Sequence, residues 1–280
     1  MTFKDLLVHV DNTEACEGRL RAALALADAQ GAHLTGLALA AETSMPSYIG
    51  GQLPPEILDM QRQQALERGR AAASRFAKAV QGSDRPVDCR VVESLDIDVT
   101  RVMIQHARHA DLVVLGQPDP EEAVAAPRQT LEEVILACGR PGLVVPYIGA
   151  AKTLGERVVV AWDAGREAAR AVNDALPILQ RAKQVTVLSI NPRSGFDGHG
   201  EEPGADIALH LARHGVKVEV QHSQGEEIAV GQALLSRLAD RGADLLVMGA
   251  YGHSRLRELV LGGATRAILQ NMTVPVFMSH

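Results

Sequence analysis

The stretch DLLVMGAYGHSRLRELVLGGAT, residues 244–265, decides how the rest of the chain is read. It opens with the apolar run LLVM at 245–248, which suits a strand buried on both faces. Gly249 and Gly252 follow where such a strand would turn, and Gly262 and Gly263 lead into a helical pattern over 264–270. A strand that ends in glycines and re-enters a helix brings several unpaired backbone N–H groups to one point. With the positive end of the helix dipole, those groups suit a phosphate. The expectation is a nucleotide site.

Working outward, ADLLVMG at 243–249 has an earlier counterpart, ADLVVLG at 110–116. In the same way RVVVAWD, ending in Asp163, answers KDLLVHVD, ending in Asp11. Helical patterns follow at 13–30 and 166–181, second strands at 33–40 and 184–190, third strands at 87–93 and 217–222. The halves close on strands at 142–148 and 274–279. One unit is written twice, and the polar linker 149–155 divides it into domains 1–149 and 155–280. Alternating strands and helices predict an α/β fold with parallel sheets and right-handed crossovers. Ligands in such sheets lie beyond the carboxyl ends of the strands, where strand order reverses. Asp11 and Asp163 are 152 apart and Asp111 and Asp244 are 133 apart, so the first half holds 152 − 133 = 19 extra residues. Segment 44–55 and a long helix over 56–81 are where they are expected.

The totals set the remaining bounds. Hydrophobic residues make up 46% of the 280 and aromatics only 3%, so the core is Leu, Val, Ile and Ala. That favours helices on a parallel sheet over a β-sandwich. A formal charge of −6 without a basic patch argues against a nucleic-acid partner. The apolar region 20–41 is interrupted by Asp28, Gln30 and His33, so no membrane span is predicted. MTFKDLLVHVD has no signal-peptide layout, and Cys16, Cys89 and Cys138 read as free thiols in a reducing compartment. The expected location is the cytoplasm. No P-loop is present, and Leu256 stands where a nucleophile elbow begun at Gly252 needs its second glycine. His210 and His214 are four apart on a predicted helix, with Asp197, His199 and Glu201 before them. No third ligand is evident, and no metal site is predicted.

Gly249, Gly252 and Gly262 resemble the nucleotide motif of the universal stress protein family, Gly-x2-Gly-x9-Gly followed by Ser or Thr. The strand ending in Asp163, the closing Val274-Pro275-Val276 and the repeat itself resemble the family's tandem form. That resemblance implies two five-stranded parallel sheets ordered 3-2-1-4-5 and flanked by helices, of the adenine nucleotide alpha hydrolase-like (HUP) type. It implies ATP or a related adenine nucleotide in the C-terminal half, with Mg as the counter-ion of its phosphates. Ala161, Asp163 and Ile190 would then lie on the nucleoside side. Gly249, Gly252, Gly262, Gly263, Ala264 and Thr265 would lie on the ribose–phosphate side, with His253 and Arg255 near the phosphates. The implied role is stress sensing or signalling with at most slow hydrolysis, since no general base or water-positioning residue is evident. The family's use of its last strand implies an intrachain pseudo-dimer, 144–148 meeting 274–279 antiparallel, and allows a homodimer of such chains.

Two departures bear on this. Gly263 stands where the family has Ser or Thr, losing a hydroxyl whose bond to a charged group is worth roughly 1.5–3 kcal/mol. Thr265 offers a hydroxyl two positions on. In the first half, Gln117, Pro118, Asp119, Pro120, Glu121 and Glu122 follow Gly116, so the second glycine is missing and carboxylates oppose an anion. That half, with Asp11 retained, is read as structural. Blander roles stand beside these: a tight turn at Gly249 and Gly252, a helix cap at Asp163, a solvated arginine at Arg255 beside Glu258. Two alternatives stay open, an interaction or dimerisation module of this type that binds no nucleotide, and an enzyme or binder for another small ligand with 44–55 as a lid.

Overall fold

The computed structural model describes residues 2–41, 54–94, 98–122, 128–148, 153–192, 202–224, 229–251 and 263–280. Two compact units result, Lys4–Cys138 and Gly139–His280, the latter joined by the chain's first three residues.

In the first unit, β1 (Asp5–Val10), β2 (His33–Ala41), β3 (Val87–Ser94) and β4 (Leu112–Gly116) are parallel, in the order β3-β2-β1-β4. Helices α1 (Ala15–Gln30), α2 (Pro55–Ala79), α3 (Val99–Ala107) and α4 (Arg128–Ala137) lie between or after them. Leu6, Leu7, Val8 and Val10 are all buried, as a central parallel strand requires, with helices on both faces. The extra length of this half is mostly α2, 25 residues long. Gly36 on β2 makes room for it: an added Cβ would lie 2.7 Å from the Phe76 ring. Gly69 of α2 is equally tight, its Cβ position 2.9 Å from Cβ of Ala40.

In the second unit, β6 (Arg157–Ala161), β7 (Gln184–Ile190), β8 (Val218–Ser223), β9 (Leu245–Gly249) and β10 (Val276–Ser279) repeat the plan. Their order, β8-β7-β6-β9-β10, is the 3-2-1-4-5 arrangement, every pairing parallel. Helices α5 (Arg166–Leu179), α6 (Ala205–Arg213), α7 (Val230–Asp240) and α8 (Gly263–Asn271) connect them. Beyond β10 lies β5 (Gly142–Val145), antiparallel, with Val144 opposite Val276. The last strand of the first sequence repeat is therefore counted with the second unit. Pairing of these two terminal strands is what the sequence reading expected.

The repeated ADL motif has a structural reason. Asp244 accepts hydrogen bonds from the Thr153 hydroxyl (2.6 Å) and from the amides of Glu156 (3.0 Å) and Arg157 (2.9 Å). It fastens the start of β6 to the start of β9. Asp111 does the same in the first unit, accepting from the amides of Lys4 (2.7 Å) and Asp5 (3.1 Å). Each carboxylate satisfies amides that a strand entering the sheet would otherwise leave unpaired.

Candidate functional site

In the second unit the crossovers leave β6 and β9 in opposite directions, and the two strands are direct neighbours, Val160 opposite Val247. Their carboxyl ends mark the switch point where α/β sheets hold ligands. Ala161 ends β6 half-buried, and Ile190 ends β7 half-buried beside it. The Trp162 amide still donates to Leu188 O (2.9 Å), so β6 and β7 stay paired to the edge. Asp163 is exposed there and its Oδ1 accepts from the Gly165 amide (2.8 Å), just ahead of α5. The helix takes Gly165 as its N-cap and has no side-chain cap, so Asp163 steadies the turn before α5 rather than capping it.

Three non-glycine residues among those described adopt left-handed backbone: Ala164 (φ 59°), Asn191 (φ 48°) and Tyr251 (φ 55°). They follow β6, β7 and β9 respectively. Such residues cost roughly 1–3 kcal/mol each, and strain of this kind gathers at ligand sites. Here all three rim one edge of one sheet.

The motif glycines serve different ends. A Cβ on Gly249 would lie 2.6 Å from the Ala168 amide nitrogen and 2.7 Å from the Glu167 carbonyl carbon. Glycine is needed there because the first turn of α5 sits directly on the strand end. Gly263, by contrast, is exposed, and among the described residues an added Cβ would meet nothing within 4 Å. Gly263, Ala264 and Thr265 form the first turn of α8, whose amides lack intrahelical acceptors. Thr265 shares the buried face of α8 with Ile268 and Leu269, which turns its hydroxyl toward the core side. Gly252, His253, Arg255 and Gly262 lie outside the described residues.

One feature of this edge escaped the sequence reading. Glu167 is 4% exposed, a carboxylate in the first turn of α5, paired with Nε of Arg166. Negative charge is favoured at a helix N-terminus, and the only sequence signal was its place two residues past Gly165. A cleft of about 600 Å³ in this unit lies elsewhere, against Leu188, Gln221, His222 and Arg241, away from the switch point. Its Arg241 is already engaged by Glu219 and by the Thr186 hydroxyl.

The matching edge of the first unit is built otherwise. Asp11 Oδ1 accepts from the Thr13 amide (3.0 Å) and hydroxyl (2.5 Å). Its Oδ2 meets Arg19 Nη2 at 2.7 Å and His9 Nδ1 at 3.7 Å. Arg19 is 3% exposed, on the face of α1 that also buries Cys16, Leu20 and Ala23. Burial opposes the charge on Asp11, but Arg19, His9 and Thr13 outweigh it and hold the carboxyl well below the usual range. Burial, reinforced by Arg19, pushes His9 down to about 4 against the pull of Asp11. Sequence reading retained Asp11 and missed Arg19, because a charged residue on an otherwise apolar helix face is by habit assigned to solvent.

His210 and His214 stand with ring centroids 4.6 Å apart on α6 and its cap. Among the described residues no group of three metal-ligating side chains converges. Asp197, His199 and Glu201 lie outside those residues, as do residues 44–53 of the expected lid. No described helix is long and apolar enough to cross a membrane.

Residues 2–137 and 155–280 each match the model of the Universal stress protein family. The universal stress protein Slr1230 of a Synechocystis species is 41% identical over 69 residues, 24% of this chain and 22% of that protein. This chain thus spans about a fifth of that relative's length. A solved universal stress protein from Archaeoglobus fulgidus aligns with a TM-score of 0.71 at 16% identity, over 98% of this chain and 96% of its own. The functionally unknown protein PA1789 of Pseudomonas aeruginosa aligns at 0.58 and 13% identity, over 99% and 92%. At such identities the structural likeness is one of fold.

Proposed function

The chain belongs to the universal stress protein family, and on that premise we propose that its C-terminal half binds ATP or a related adenine nucleotide. The role is stress sensing or signalling, with at most slow hydrolysis, in the cytoplasm. Its two domains are 1–149 and 155–280, with nucleotide confined to the second. A homodimer is compatible with this reading.

The observation that carries it is the adjacency of β6 and β9, whose ends bear Asp163 and Gly249. Around that switch point Ala161, Asp163 and Ile190 take the nucleoside side. Asp163 keeps one carboxylate oxygen for ribose hydroxyls while the other holds Gly165. Gly249 lets α5 approach, and Gly252 is assigned to the same site as the motif's second glycine. The amides of Gly262, Gly263, Ala264 and Thr265 face the phosphates, with His253 and Arg255 adding positive charge. Mg travels with the phosphates rather than in a protein cage.

Calorimetric titration of ATP–Mg into the full chain tests this. Saturable binding below about 1 mM is expected; none at millimolar ligand removes the proposal. Gly263 favours a second reading, an interaction module of the same family without nucleotide. Absence of any bound nucleotide in native mass spectrometry, with a melting temperature unmoved by ATP–Mg, would support that reading instead.

A further inference from the structure

We infer that Arg19 closes the ligand crevice of the N-terminal unit as a built-in occupant, and is the residue that reserves ligand binding for the C-terminal unit. β1 and β4 are neighbours with ends at Val10 and Gly116, the same switch-point relation as β6 and β9. Into that gap α1 sends the guanidinium of Arg19. A Cβ built on Gly116 would lie 2.0 Å from its Nη1, so the group lies directly over the end of β4.

What remains of the crevice, bounded by His9, Asp11, Thr13 and Gln117, is a void of about 20 Å³, enough for one water. Among the described residues neither Nε nor Nη2 of Arg19 makes a well-directed hydrogen bond, so Nη2 is held to Asp11 by charge at 2.7 Å and Nε is left to such a water. Asp11 is spent on Arg19 and Thr13. On the far side α2 closes over β1 and β2: the Asn12 side-chain amide donates to Arg68 O (2.8 Å), and Arg68 Nη2 donates to Ala41 O (3.3 Å).

Among its described residues the second unit shows no such arrangement. Asp11 and Asp163 are equivalent across the repeat, an offset of 163 − 11 = 152, which pairs Arg19 with Ala171. Ala171 is fully buried, and its methyl group carries no charge to set against Asp163. Among the described residues Asp163 holds only the Gly165 amide. One chain therefore offers one ligand place. That count rests on the function proposed above; the closure of the first crevice does not.

The experiment is Arg19→Ala in the full chain, followed by thermal melting with and without about 10 mM methylguanidinium. Removing one member of a buried ion pair should lower the melting temperature by on the order of 10 °C. Methylguanidinium should restore several degrees in the variant and none in the wild type. A variant that melts like wild type, or ignores the cation, overturns the closure. Should the variant not fold, the wild-type guanidinium spectrum decides: a distinct, slowly exchanging Arg19 Nε–H signal supports it, an averaged one overturns it. ATP–Mg calorimetry on wild type provides the second arm. One equivalent supports the inference and two overturn it. None counts against the nucleotide proposal for the second unit and leaves the closure to the methylguanidinium arm.

Discussion

Nη1 of Arg19 stands 2.0 Å from where the Cβ of an alanine at position 116 would be, so Gly116 and Arg19 determine one another. Gly116→Ala is expected to destabilise the protein by about 2–3 kcal/mol, because the guanidinium must leave its buried ion pair or the strand must shift. Urea unfolding measures this. Arg19→Ala in the same chain should relieve most of the added penalty, and a purely additive double variant would argue against direct contact.

Acid should weaken the first unit well above the carboxylate range. His9 titrates near 6.5 when unfolded and at about 4 in the fold. Between those values the unfolded chain binds more protons, so stability falls as pH drops from 6.5 toward 4. The loss totals about 3 kcal/mol, and Asp11 adds to it only at lower pH, because its carboxyl is held below its ordinary value. Denaturant midpoints at pH 7, 5.5 and 4.5 should fall in that order. His9→Gln, which carries no proton, should flatten the slope.

Asp244→Ala leaves the Thr153 hydroxyl and the amides of Glu156 and Arg157 without their acceptor. A loss of about 3 kcal/mol is expected. Asp111→Ala should cost less, since it abandons the amides of Lys4 and Asp5 only, at a more exposed place. Equal losses would mean that the added hydroxyl and the deeper burial contribute little.

Two of the motif glycines should respond oppositely. Gly249→Ala drives a Cβ into α5 backbone at 2.6 Å and should lower the melting temperature without any nucleotide present. Gly263→Ser meets open space and should leave the melting temperature within about 1 °C. By adding a hydroxyl at the α8 N-terminus, it should tighten ATP–Mg binding roughly tenfold. Unchanged affinity would place the phosphates elsewhere.

Much of this was legible before any coordinates. The runs around Leu7, Val113, Val159 and Leu246 are apolar on both faces, and only a parallel strand under two helix layers asks for that. Asp111 and Asp244 recur because each fastens the start of the preceding first strand. What stayed hidden has a common physical cause. A glycine such as Gly249 looks the same in sequence whether a ligand or a helix approaches it. Arg19 is a charge whose partner, Asp11, sits one turn and a strand end away, and burial of a paired charge leaves no periodic signal. The meeting of Val144 with Val276 was foreseen only through the family resemblance, because a pairing between segments so far apart leaves no local pattern.

That pairing sets a schedule for the nascent protein. The ribosome finishes Val144 a full 276 − 144 = 132 residues before its partner. At roughly 5–20 residues per second the wait is on the order of ten seconds. Throughout it, the GLVV segment lacks the strand that will cap it, and an uncapped apolar strand invites the wrong neighbour. Fusions or slow codons that delay the final strand would lengthen that window, and aggregation during synthesis would rise with it.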